Sequence, residues 1–185
     1  GEAVEPLLEI LEAKMPRSRP IMMKLLSRDV EPHIKARTLR ALEGTWDDPR
    51  EIRDTLVPML DASDADVQME AIRSFTVEAP QHVDRVMGPN LRSYFKGRPT
   101  EEVREISNLF VKHGKKDAVE RLDGLIRKKG MVSGDDQETA IEVVRSLVKT
   151  PSQPVIDLLE DIAGDWLVPK KIRNNCKEVA ELLSS

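Results

Sequence analysis

The stretch "DADVQMEAIRSF", residues 64–75, runs from an acidic, small-residue entry into a short apolar helix pattern. Ala71 stands at the centre of its apolar face, where a leucine would bury more surface. A small residue in that place is a question about packing, and the rest of the chain answers it.

Four other segments have the same shape: "IKARTLRAL" (34–42), "VREISNLFV" (103–111), "DQETAIEVV" (136–144) and "IRNNCKEVA" (172–180). Aligned with "VQMEAIRSF" (67–75), each has a small or compact fifth residue: Thr38, Ala71, Ser107, Ala140 and Cys176. Successive spacings are 33, 36, 33 and 36 residues, a period typical of helical repeat arrays. A second helix pattern follows each of the first four segments, at 50–60, 82–95, 116–126 and 153–162. A less regular pair, 4–12 and 20–26, precedes them. In stacked helix pairs the first helix lies between its own partner and the next repeat, and a small residue at the crossing lets the axes approach. Ala71 is therefore read as a packing requirement.

The connections carry their own signals. Asp48-Pro49 reads as an N-cap followed by proline at the first helical position. Thr150-Pro151-Ser152-Gln153 reads as a capping box. Gly114 and Gly130 follow basic residues, as helix C-termini prefer. Pro58 and Gly88-Pro89 fall inside second helices, and a kink is expected at each, sharper at 88–89.

With Asp64, Val67, Ala71 and Phe75, and again with Val103, Arg104, Ser107 and Val111, the pattern resembles the HEAT-repeat family and its "D-x-x-V-R-x-x-A-x-x-x-L" first helix. Gln68 replaces the usual arginine, and Asp136 takes an apolar position in the fifth unit. Armadillo-like and other two-helix arrays share the outline. The resemblance implies an all-α, right-handed α-solenoid of about five helix pairs. One domain, 1–185, would hold repeats near 2–28, 29–62, 64–97, 99–130 and 134–166, and a terminal helix at 169–184. The segment 159–183 is also similar to a short archaeal family of unknown function, through Ile162, Ala163, Asp165, Val168, Pro169, Ile172 and Arg173. That likeness implies an archaeal source and no particular activity.

Composition agrees with helices. Aromatic residues make up 3% of the chain and charged residues 34%, with both signs interleaved. No apolar run approaches the roughly 18 residues of a membrane span. The chain begins at Gly1 rather than Met, which leaves a leader upstream open. The single cysteine, Cys176, excludes an internal disulfide and suits a reducing cytoplasm. A cytoplasmic monomer is expected.

Catalytic signals are weak. His33, His82 and His113 lie in different repeats without ligand spacing. Some HEAT-like enzymes bind iron through His-Glu dipeptides, and this sequence has none. Asp47-Asp48 and Asp135-Asp136 precede helix patterns, where carboxylates favour the positive end of the dipole. Cys176 fills a compact packing slot, as an inert buried thiol would. No enzyme activity, cofactor or metal is expected.

The net charge of −4 conceals a gradient: residues 1–90 carry −5, residues 91–132 carry +5, and residues 133–185 carry −4. Arg92, Lys96, Arg121, Arg127 and Lys128 fall on exposed faces of second helices. In HEAT arrays those helices line the concave face, so the five residues form the candidate partner-binding groove. The expected function is a non-catalytic protein-binding scaffold or adaptor that takes an acidic protein segment. The alternative is nucleic-acid binding through 91–132, as in HEAT-like glycosylases that cradle DNA in a basic concave face. A third reading has Lys112, Arg127, Lys128 and Lys129 merely offset helix C-termini. Trp46 and Trp166 both follow helix ends and are expected to plug inter-helix turns.

Overall fold

The computed structural model describes residues 4–127 and 134–185, and helices are the regular structure found there. The chain divides into two compact units, Gly1–Pro80 and Gln81–Ser185.

In the first unit, α1 (Val4–Ala13) and α2 (Arg19–Leu26) lead to α3 (Pro32–Ala41), which packs against both. Leu8 and Leu11 of α1 are buried, whereas Leu7 and Ile10 face solvent. Asp48 caps the next segment by accepting the Arg50 backbone N–H at 2.8 Å, with Pro49 at the first helical position. That segment comprises α4 (Pro49–Glu51), a π-helical turn (Ile52–Leu56) and α5 (Val57–Met59). Pro58 explains the turn. Its ring lacks an N–H and crowds the carbonyl four residues back, and the backbone widens so that the Val57 N–H reaches the Ile52 carbonyl. The distortion expected at Pro58 thus takes the form of an inserted π turn.

Helix α6 (Ala65–Glu78) contains the opening stretch. The Asp64 carboxylate accepts the N–H groups of Asp66 and Val67 at 3.1 and 3.0 Å, which fixes its start. Met69, Glu70, Ala71 and Ile72 are consecutive and all buried, so α6 is enclosed on nearly every side. It packs on α3, α5 and the π turn.

The second unit begins with α7 (Val83–Met87) and α8 (Leu91–Phe95), separated by a 3-10 turn at Gly88–Asn90 where Pro89 interrupts the helix. Next is α9 (Thr100–Ile126), broken at Lys115, whose φ of 51° and ψ of −132° are left-handed. Gly114 permits this break, since a Cβ there would lie 2.7 Å from the Ala118 Cβ. Helices α10 (Gly134–Ser146), α11 (Gln153–Gly164) and α12 (Lys170–Ser184) complete the unit. α10 packs on α9 and α12, and α11 on α9 and α12. Gly130 lies outside the described residues.

The capping box expected at 150–153 is not formed. α11 starts at Gln153 with Ser152 as N-cap, and the Ser152 side chain makes no capping bond. Pro154 has no N–H to offer, and the Val155 N–H goes to the Ser152 carbonyl at 3.0 Å. Thr150 turns back to the Leu147 carbonyl instead.

All five compact positions, Thr38, Ala71, Ser107, Ala140 and Cys176, have no exposed area. The two hydroxyls are satisfied within their own helices, Thr38 donating to the Ile34 carbonyl and Ser107 to the Val103 carbonyl, each at 2.7 Å. Ion pairs and an arginine hydrogen bond join neighbouring first helices. In the first unit, buried Glu70 accepts Arg40 of α3 at 2.5 Å and Arg73 of its own helix at 2.6 Å. In the second, Arg104 of α9 reaches Glu142 of α10 at 2.5 Å, and Arg145 reaches Asn175 of α12 at 2.9 Å.

Candidate functional site

Arg92 and Arg121 do share a cleft, of about 590 Å³, but it is not basic. Asp84, Asp117 and Glu120 also line it. The Arg121 guanidinium forks onto Asp84 at 2.6 and 3.3 Å, which raises its pKa through the hydrogen bond and then the carboxylate's charge. Gly88 makes room for that fork, because a Cβ there would sit 2.4 Å from Arg121 Nε. Arg92 pairs with Asp136 at 2.5 Å.

Arg127 stands elsewhere, outside that cleft. Its Nε donates to Asp123 at 2.5 Å, its Nη1 to Asp165 at 2.6 Å, and its Nη2 to Asp161. Burial opposes its charge, yet three carboxylates hold its pKa above the ordinary value. Lys96 is exposed at the end of α8, and Lys128 lies outside the described residues. The arginines expected to line a positive groove are thus neutralised by the chain's own carboxylates. Sequence places charges along the chain, whereas all of their partners except Asp123 lie 34 to 44 residues away.

A second cleft, about 430 Å³, is basic. Lys112, Lys115 and Lys116 come from the broken middle of α9, and Lys149 from the 3-10 turn (Leu147–Lys149) that follows α10. Thr150, Ser152 and Pro154 close one side, and Val111 and Val119 contribute apolar surface. No carboxylate is among its lining residues. Lys116 reaches Glu120 only at 3.8 Å, and Lys112, Lys115 and Lys149 have no ion pair among the described residues. Half-buried His113 has its pKa held down by burial and by the charge of Lys112.

More generally, arginines make the close ion pairs, while the lysine pairs, Lys116–Glu120 and Lys177–Glu181, span 3.8 and 3.9 Å. The reason is chemical. A planar guanidinium matches a carboxylate with two parallel donors, whereas an ammonium stays strongly hydrated.

The two tryptophans part company. Trp46 is buried, as a turn plug should be. Trp166 is 80% exposed and Leu167 beside it 62% exposed, so the expectation that Trp166 fills a turn is corrected. The turn is held without it. Asp165 accepts the Leu167 N–H at 2.9 Å and also binds Arg127. Its pKa is lowered, first by that backbone bond and then by Arg127. Buried Val168 anchors the far side.

Cys176 is buried, and desolvation pushes its thiol up to about 12, so it stays protonated at neutral pH. His33 lies beside Glu5 and Glu31 at 3.0 and 3.4 Å, and His82 beside Arg85. Among the described residues no group of three or more His, Cys, Asp or Glu is placed to hold a metal, and no helix is long and apolar enough to cross a membrane.

Compared with family models, curated proteins and solved structures, the chain shows no match.

Proposed function

We propose that this chain is a non-catalytic protein-binding scaffold or adaptor built as a HEAT-like, right-handed α-solenoid. The repeat period and the fully buried compact residues support that architecture. So does the packing of successive first helices within each unit, α3 on α6 and α9 on α10 on α12. Such arrays bury their core between repeats and leave a long surface for extended partners.

The observation that carries the binding reading is the Trp166-Leu167 pair. Large apolar side chains standing this far into solvent favour an interface, and tryptophan is enriched among residues that dominate binding energy. The pair sits on a turn fixed by Asp165 and Arg127, so little ordering cost opposes association. Arg127 then acts as a fold anchor for the docking turn, and nucleic acid loses its expected arginine contacts.

Affinity capture from source lysate, treated with nuclease, tests this reading. Wild type should retain a protein that Trp166→Ala loses, because truncating an interface tryptophan typically costs about 2 kcal/mol or more. The variant's own stability should change by about 0.5 kcal/mol or less, as at other exposed sites. Equal retention by both forms, or loss of all binding on nuclease treatment, would defeat the proposal.

A further inference from the structure

We infer that the lysine cleft of the second unit is a binding site for a phosphomonoester group. The inference is independent of the Trp166 reading. Four ammonium groups line one cleft of about 430 Å³ that contains no acid, and three of them lack an ion-pair partner among the described residues. Like charges gathered in this way repel one another, and a dianion at their centre converts that repulsion into attraction.

Three further features point to a compact anion. First, Lys115 holds a left-handed backbone conformation that glycine would adopt freely, although Gly114 stands one position away. Such an outlier in a cleft is a pointer to function. Second, α11 begins at the cleft, and the Ser152 hydroxyl there is not engaged in capping, so it is available to a phosphoryl oxygen near the positive end of a twelve-residue helix. Third, Pro151 restricts the loop that carries Thr150 and Ser152, and Pro154 lies in the first turn of α11 beside it.

The surroundings limit the ligand's size. An adjoining cleft shares Lys116, Val119 and Pro154 but is lined by Glu120, Asp123, Asp157 and Asp161. A phosphate chain running past the lysines would meet those carboxylates, whereas an isolated phosphoryl group would not. Val111 and Val119 offer apolar contact to the carbon part of the ester.

Titration of the full chain with phenyl phosphate, followed by amide NMR, is the test. Saturable shifts are expected in residues 111–116 and 149–153, with none from phenol. Lys112→Gln combined with Lys149→Gln should weaken binding roughly tenfold or more, since both charge-assisted contacts are lost. Lys115→Gly should weaken it as well while raising the melting temperature, so a binding loss cannot be assigned to unfolding. A phosphoserine peptide that binds more tightly than phenyl phosphate would place the group on a protein, and equal affinity would place it on a small ester. No saturable shift, unchanged affinity in these variants, or tighter binding of a single-stranded oligonucleotide at the same residues would overturn the inference.

Discussion

Replacing Ala71 by leucine is expected to destabilise the fold by about 1–3 kcal/mol, because the added methylenes enter a contact already closed on all sides. Ala71 has no exposed area, and its neighbours Glu70 and Ile72 are buried too, so α6 cannot roll to make space. The strain would pass to α3, α5 and the π turn, on which α6 packs. Val77→Leu is the matched control: Val77 is exposed on the same helix, and its substitution should change stability by about 0.5 kcal/mol or less. Denaturant midpoints of the two variants make the comparison. Equal midpoints would mean that free space exists beside Ala71 and that the crossing is loose.

Arg127→Ala is expected to cost about 1–2 kcal/mol, with the larger share of the change falling near the Trp166 turn. The substitution leaves Asp123, Asp161 and Asp165 facing one another without their common cation. Partial exposure of the guanidinium keeps the cost well below that of a fully buried pair. Trp166 fluorescence should then broaden or shift while the buried Trp46 reports no change, and an unaltered Trp166 signal would show that the turn stands without Arg127.

The same turn has a pH signature. The Asp165 pKa is lowered from its ordinary 3.8, so its stabilising contribution is complete above that value. It is lost as pH falls through the lowered value. The Trp166 signal should therefore hold down to the ordinary carboxylate range and change only in stronger acid. Loss of Arg127 should move that change upward in pH, although the backbone bond from Leu167, the larger cause of the shift, survives. A transition above the ordinary carboxylate value in wild type would contradict this account.

Much of the helix plan was legible in the sequence because it depends on local chemistry. Asp48-Pro49 and Asp64 start helices through short-range capping, and the compact positions recur because each helix meets the same packing demand. What was not legible depends on contacts between distant segments. Arg92, Arg121 and Arg127 look like free cations in a basic stretch until the fold brings Asp136, Asp84 and Asp161 to them. Lys149 sits outside that stretch, yet the fold places it with Lys112 and Lys115. The capping box read at 150–153 fails because the helix starts at Gln153 rather than at Pro151, which leaves Thr150 outside its first turn. Trp166 gave no local sign of exposure, because its turn is held by Asp165 and Val168 instead.

The separation of roles between arginine and lysine has a consequence for how the molecule responds to covalent change. The guanidiniums that lock neighbouring helices are inert to amine-directed acylation. The ammonium groups of Lys112, Lys115 and Lys149 are exposed and chemically open to it. Acetyl transfer to these three amines would leave Lys116 as the cleft's one remaining lysine charge while every arginine clamp stayed closed. The surface of this protein can therefore be rewritten chemically without disturbing the scaffold that presents it.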